Sequence, residues 1–344
     1  TEQGGHLYTQ LNGAFINDRT HFKSNRMSLQ QGMILPYKTD FGLVTNLEAM
    51  VRLDGYNIDS GKNLSHVLPR SEDSYWTGRV FPQGTFKMSY PMVRYSQTMT
   101  QILEPIVMLI VAPNGVNSDK IPNIDSTVFD FNDINLFSTD RYAGYDRVET
   151  GTRANYGVQW SLYPKEKLPA VQFLFGQSYR LRSEDDLTDP MGYKNHLSSY
   201  VGHLKLSYDY ALLMYRFRLE EETFSPQKND IVFEVGPQHL RLGIDYLFQD
   251  DYSLGEQKFK SKKEMTLYAR SQLSQKWSFY GKYRYNLKKE EKGALETSGT
   301  LRYDHDCAAF EITARKSFTK DRNYQGNTSV ALRLYLKTLG GVGQ

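Results

Sequence analysis

In the stretch Ser329-Val330-Ala331-Leu332-Arg333-Leu334-Tyr335-Leu336-Lys337, polarity changes at every step: Val330, Leu332, Leu334 and Leu336 alternate with Ala331, Arg333, Tyr335 and Lys337. Successive side chains of an extended strand point to opposite faces, so this segment has one oily face and one polar face. Such a strand needs two different surroundings. In a soluble sandwich the oily face meets a second sheet. In a membrane barrel it meets lipid, and Arg333 and Lys337 then face a wet lumen.

The same period of two runs through most of the chain. Trp277, Phe279, Tyr283, Tyr285 and Leu287 oppose Ser278, Tyr280, Lys282, Arg284 and Asn286. Leu240, Leu242, Ile244, Tyr246 and Phe248 oppose Arg241, Asp245 and Gln249, and Leu43, Thr45, Leu47, Val51 and Leu53 oppose Asn46, Glu48, Arg52 and Asp54. Roughly 16 strands can be read this way, and helical periodicity is hard to find. The connections alternate in length. Long polar segments at 319–327, 288–293, 249–262, 220–229, 181–198, 112–152 and 55–74 take turns with short ones near 305, 274, 237, 208, 166, 97 and 38. Sorting by parity is expected of an up-and-down outer-membrane barrel, with turns at one rim and loops at the other. Greek-key sandwiches give no reason for it.

The polar faces decide between the two surroundings, because a dry core could not hold so many charged side chains without costly unpaired burial, whereas a hydrated lumen accepts them. Residues 1–344 are therefore read as an all-β, antiparallel up-and-down transmembrane β-barrel domain. The longest uninterrupted apolar run, Ile106 to Ala112, falls far short of the ~20 residues a spanning helix needs. Twenty-five Tyr and 18 Phe suit a pleated wall. Trp160, Tyr163, Trp277, Tyr283 and Tyr303 read as interfacial girdle residues or as cross-strand packing. A formal net charge of +3 gives no strong field, so no nucleic-acid partner is expected, and the Lys258–Lys263 and Lys288–Lys292 clusters read as solvated loops.

Chemical motifs are scarce. Tyr303-Asp304-His305-Asp306-Cys307 sets four ligand types in a row, but no further His or Cys follows at ligand spacing, so the segment reads as a turn and no metal site is expected. Glu220, Glu221 and Glu222 edge a loop without an accompanying His and read as solvated acids. No nucleophile elbow, P-loop, zinc-protease or dinucleotide signature is present, so neither an enzyme nor a cofactor is expected. Cys307, the single cysteine, falls at the short-turn rim, which would be periplasmic and oxidising.

A connection of some 40 residues between barrel strands exceeds the usual ~12–15 and is expected to be functional or folded on itself. Here Ile121-Pro122-Asn123, Asp125-Ser126, Leu136-Phe137, Arg141, Gly144, Asp146-Arg147 and Gly151, with Leu103-Glu104-Pro105 before them, resemble the signature of the lipopolysaccharide-assembly outer-membrane family LptD, also called organic solvent tolerance proteins. Cys307, Asp321-Arg322 and the closing Leu336-Lys337-Thr338-Leu339-Gly340 resemble the end of alphaproteobacterial-type members. The resemblance implies an N-terminal periplasmic jellyroll ahead of a barrel of about 26 strands, so this chain is expected to hold the last 16 or so and to leave edges at its first and last strands.

It further implies that lipopolysaccharide passes through the lumen and a lateral gate in the outer membrane of a Gram-negative cell. A plug lipoprotein of the LptE type would sit in the lumen, and a periplasmic bridge would join the N-terminal domain. Residues 329–337 become one lip of the gate, and Arg333 and Lys337 either attract phosphorylated sugars or simply hydrate the wall. Cys307 matches a position that in many members is disulfide-linked to the N-terminal domain; members often carry a cysteine pair there, whereas Ala308 follows here. The alternative from another class is a passive diffusion porin of about 16 strands, in which residues 112–152 would form a constriction with opposed charges; a soluble sandwich comes third.

Overall fold

The computed structural model describes residues 4–17, 23–59, 74–128, 130–165, 167–182, 193–194, 196–254, 257–318 and 326–337. In chain order the strands are β1 His6–Asn17, β2 Lys23–Lys38, β3 Val44–Asp59, β4 Ser74–Ser89, β5 Met92–Tyr95, β6 Met99–Val111, β7 Thr127–Val128, β8 Tyr142–Ala143, β9 Arg153–Pro164, β10 Ala170–Arg180, β11 Tyr193–Lys194 and β12 Leu197–Ser198. They continue with β13 Tyr200–Tyr208, β14 Ala211–Leu219, β15 Pro226–Val235, β16 Leu240–Gln249, β17 Tyr252–Leu254, β18 Gln257–Phe259, β19 Lys262–Gln272, β20 Trp277–Asn286, β21 Gly293–Asp304, β22 Ala308–Ser317 and β23 Thr328–Leu336. Among the described residues no helix is long and apolar enough to cross a membrane.

Nineteen of these strands form one antiparallel sheet. Without the short β5, β11 and β12, sixteen long strands remain, each paired to the next in a meander. They run from 9 residues in β23 to 16 in β2, which at about 3.3 Å per residue suffices to cross a bilayer core. Among the described residues β1 pairs only with β2 and β23 only with β22, so both are sheet edges. The expected sorting of connections holds, with turns at 209–210, 236–239, 273–276 and 305–307 opposite the long segments. β3 reaches Asp59 and β15 starts at Pro226, so the connections read at 55–74 and 220–229 are shorter than expected. The extra strand residues Tyr56, Ile58 and Lys228 are held by contacts with segment 112–152, described below.

Register sorts the side chains. Met27, Leu29, Val51, Leu53, Trp76, Val80, Leu109, Phe279, Phe310, Leu332 and Leu334 lie exposed on one face. Their sequence neighbours carry the ion pairs of the other face, among them Lys282–Glu296, Arg284–Glu264 and Arg333–Glu311. That second face is concave. Asp125 binds Arg26 on β2 and Asp130 binds Lys228 on β15, although eight strand-to-strand steps separate β2 from β15 in the sheet. In a flat sheet the two strands would lie about 38 Å apart with their inward side chains standing roughly perpendicular to it, whereas five residues of backbone reach at most about 17 Å. The sheet curls around the segment that bridges it, and its inner face is the lumen.

Three aromatic rings lie across glycines directly opposite them in register: Tyr8 over Gly32, Tyr268 over Gly243 and Phe217 over Gly202. The two tyrosines face the lumen, where Tyr8 donates to Glu48 (2.8 Å) and Tyr268 to Glu234 (2.7 Å). A ring laid on a bare strand keeps water from the ladder and pins register. The three sites differ in clearance. A Cβ at Gly243 meets first the far end of the Tyr268 side chain, whereas one at Gly202 strikes the Leu174 carbonyl as well as the Phe217 ring. Gly202→Ala is therefore expected to cost about 1–3 kcal/mol in urea unfolding in detergent, and Gly243→Ala under about 1 kcal/mol; equal losses would mean that ring cover, not backbone clearance, is what matters.

Candidate functional site: a segment folded into the lumen

Residues 112–152, between β6 and β9, do not project from the rim. They fold back against the lumen face of β2, β3, β4, β6, β9, β10, β13, β14 and β15, held by three small apolar clusters and a set of buried ion pairs. Ile121 packs with Tyr56 and Ile58, Val148 with Phe81 and Ala112, and Phe131 and Leu136 with Val201. The apolar run from Ile106 to Ala112 ends in this packing, with Ala112 against Phe81 and Val148. Ile106, Met108 and Ile110 face inward beneath the segment while Val107, Leu109 and Val111 face outward, so here the wall is apolar on both sides. Glycines make room for the close approach: a Cβ at Gly176 would lie 2.6 Å from Leu136 Cδ2, and one at Gly157 would lie 2.7 Å from the Phe175 carbonyl oxygen and 3.4 Å from the Phe137 ring.

The first polar anchor joins the segment to β2, β3 and β4. Asp146 Oδ2 accepts the amides of Ile124 (2.9 Å) and Asp125 (3.0 Å), and Asp125 Oδ1 accepts those of Tyr145 and Asp146 (both 3.1 Å). Each carboxylate thus binds the backbone that carries the other. Arg26 Nη1 donates to both carboxylates at 2.7 Å, and Arg26 Nη2 reaches Asn12 on β1. The Tyr145 carbonyl accepts from Arg52 and from Arg79, which also clasp Asp54, while the Tyr145 ring lies 5.0 Å from the Arg26 guanidinium and 4.7 Å from that of Arg52. Gly144 has φ +87, and a Cβ there would lie 2.7 Å from Asp125 Oδ1, so glycine is required at this bend.

The second anchor is Glu149, fully buried, with Arg141 and Arg180 at 3.0 Å and Arg153 at 3.1 Å. Arg141 also donates to the carbonyls of Asn135 and Leu136 and lies over the Phe131 ring. At the tip, Asp130 binds Arg218 and Lys228, and Asp133 meets His203 Nδ1 at 2.8 Å.

Twelve signature residues named from the sequence, Ile121 to Gly151, fall in this one segment, and Leu103, Glu104 and Pro105 lie in β6 before it. Besides Asp125, Asp146, Gly144, Arg141, Leu136 and Phe137, Asn123 accepts the Ser126 amide, Ser126 Oγ accepts the Arg147 amide, and Arg147 Nη1 donates to the Ile121 carbonyl. Pro122 sets the chain direction after the buried Ile121. Their wall partners Arg26, Arg52, Asp54, Arg79, Arg153, Arg180, Gly157 and Gly176 carry no mark in the sequence beyond inward register. Cys307 is exposed in the turn between β21 and β22, and Asp304 beside it binds Arg302 and Lys337. Asp321, Arg322 and residues 338–344 lie outside the described residues. Among the described residues no group of three or more His, Cys, Asp or Glu side chains is placed to hold a metal ion.

The family model described as LPS transport system D, LptD, matches residues 3–277. The chain belongs to the LptD family. It is 22% identical over 303 residues to the LPS-assembly protein LptD of Vibrio cholerae serotype O1, covering 83% of this chain and 38% of that one. It is 23% identical over 356 residues to that of Vibrio vulnificus, covering 92% and 44%. The chain therefore spans less than half the length of these curated relatives. Among solved structures, a mutant of Rh. blastica porin covers 95% of this chain and 99% of its own at 9% identity and a TM-score of 0.40. As a member of the LptD family with an outward apolar belt, the chain is an integral part of the outer membrane of a Gram-negative bacterium.

Two carboxylates of this LptD segment are displaced in opposite directions. For Asp125, burial works to raise the value, but the Tyr145 amide, Arg26 and the Asp146 amide outweigh it and hold the group at about 2. For Asp140, burial dominates and pushes it up to about 6, against the amides of Tyr142 and Glu149 and with help from the Glu149 charge. A carboxyl whose value rises on folding adds stability below its unfolded value near 4, and that stability is lost as pH rises through 6. Asp140→Asn keeps the acceptor for both amides but cannot ionise. Urea unfolding in detergent should find it equal to the parent at pH 4 and more stable at pH 8, by up to about 3 kcal/mol. Equal stability at both pH values would show that Asp140 is ionised at no cost.

Proposed function

We propose that this chain is part of the wall through which lipopolysaccharide is carried across the lumen and released sideways into the outer leaflet. Family membership supplies the substrate class, and one observation carries the reading: the lumen is divided. Along β2 to β14 the inner face is sealed by segment 112–152, and the side chains of Arg26, Arg52 and Arg79 are at most 6% exposed. Along β19 to β23 the inner face stays wet. There Arg270, Arg315 and Arg333 keep 56–59% of their side-chain surface although each has a carboxylate partner. A molecule with phosphorylated sugars and acyl chains matches such a wall on both faces, sugars against hydrated cations inside and acyl chains against the apolar belt outside.

Within this reading Ser329, Val330, Ala331, Leu332, Arg333, Leu334, Tyr335, Leu336 and Lys337 are one lip of the lateral gate. β23 suits the role because among the described residues it is held on one side only, and a seam that opens needs few ladder bonds at one place. A plug lipoprotein would share the open half of the lumen. A periplasmic jellyroll domain would deliver substrate from the bridge below, and Cys307 would offer its thiol to that domain. The activity is movement of a lipid rather than bond chemistry. A passive porin would display the charges of its constriction across open water, whereas the charges of segment 112–152 are engaged with the wall.

Deleting residues 121–147 in the cell should leave less lipopolysaccharide at the surface and a more permeable envelope; normal surface lipopolysaccharide with the deleted protein in the membrane would count against the segment's role. The topology has its own check. An impermeant thiol reagent added to intact cells should leave Cys307 unmodified, and efficient labelling from outside would place the short turns on the wrong side.

A further inference from the structure

The loop between β14 and β15, residues 220–225, contains the one non-glycine residue with positive φ among those described: Phe224, at +56. A bulky side chain is disfavoured in that region, so the surroundings must hold it there. They do so with backbone bonds. The Phe224 amide donates to the Glu220 carbonyl at 3.0 Å, the Glu220 amide donates to the Ser225 carbonyl at 2.9 Å, and Thr223 Oγ1 donates to Glu220 Oε2 at 2.6 Å.

The result is a direction for the ring. Phe224 lies 5.0 Å from Tyr200 and 5° from parallel, and Tyr200 stacks at 5.2 Å and 17° on Phe175. Phe217 follows at 6.3 Å from Phe175, and Tyr215 at 5.5 Å from Phe217. Tyr200, Phe175, Phe217 and Tyr215 belong to the outward register, since Gly176, Val201, Arg216 and Arg218 take the lumen side. The stack is seated in the strands rather than laid over them: Gly202 leaves the slot that Phe217 fills, and a Cβ there would lie 2.6 Å from Phe217 Cζ. Phe224 nevertheless stays 56% exposed. Two strained or vacated positions thus serve one continuous column of rings, running from an outer loop down onto the apolar belt.

We propose that the Phe224–Tyr200–Phe175 column is a lipid-binding anchor, with the Phe224 ring inserted at the boundary between headgroups and acyl chains of the outer leaflet. Three features favour lipid as the occupant. The column is continuous with the outward belt through Phe217 and Tyr215 to Phe233 and Leu213. It begins at the loop rim, where the water boundary falls. Tyr200, a ring with a polar tip, stands at the loop end of β13, and amphipathic rings settle at that depth. The inference needs only the membrane assignment and stands or falls independently of the transport reading.

The test uses the full chain folded into phosphatidylcholine vesicles, with Trp76, Trp160 and Trp277 replaced by Phe and Phe224→Trp as the only reporter. Lipid brominated near the headgroup end of its chains should quench the emission about twofold or more, with little quenching by aqueous iodide. Quenching by iodide and not by brominated lipid would overturn the anchor and leave the ring as loop packing. Should that variant fail to fold, Tyr200→Trp in the same background takes the reading from the next ring. Phe224→Gly, which relieves the backbone, should unfold in detergent no sooner than the parent yet insert into vesicles more slowly; insertion at the parent rate would also overturn the proposal.

Discussion

A sheet that separates oil from water has to satisfy every backbone amide and carbonyl within itself, and the rest of this structure follows from that requirement. Sixteen long strands meet it by pairing in sequence, which commits each residue to one of two faces with no third choice. The alternation of Leu332 with Arg333, or of Phe279 with Tyr280, is the chemical form of that commitment. Among the described residues the ladder ends at β1 and β23, each paired on one side, and these edges are open to a neighbouring strand or to separation.

Curling the sheet creates a second problem, the charged concave face, and segment 112–152 answers it on one side only. Buried ion pairs contribute little net stability when intact, but losing one partner leaves an uncompensated charge at a cost of about 3–5 kcal/mol. Glu149 with three arginines and Asp54 with two are arrangements of this kind. They favour a single seated position over a movable one, because partial displacement of the segment would strand several guanidinium groups away from both water and carboxylate. Leu136 and Phe137, set against Gly176 and Gly157, make the same choice sterically. The segment therefore acts as a built-in part of the wall, and the wet half lined by β19 to β23 is what remains for traffic or for a partner.

The outer surface shows the same economy of means. The ring over Gly202 and the strained Phe224 belong to one column that faces lipid, while rings over Gly32 and Gly243 face water through hydroxyl bonds to Glu48 and Glu234. Aromatic cover of a glycine serves either medium, and the hydroxyl marks which one is present.

Much was decided by the order of residues alone. Strand identity, the two faces, the parity of the connections and the family all follow from local patterns with a period of two, because side-chain direction in a strand is fixed by backbone geometry and needs no distant contact. The signature residues of 121–151 could likewise be named, and the length of the connection announced that it would fold on itself. Only the tertiary structure decided where that segment goes and what it holds. Arg26, Arg52, Arg79, Arg153 and Arg180 read as ordinary lumen residues, since an inward arginine in a wet barrel looks the same in sequence as one buried against Asp146 or Glu149. The apolar run from Ile106 to Ala112 was the local sign that the lumen is dry there. The apolar partners of segment 112–152 come from β3, β4 and β13, and pairings between residues so distant in the chain depend on curvature, which no local pattern encodes.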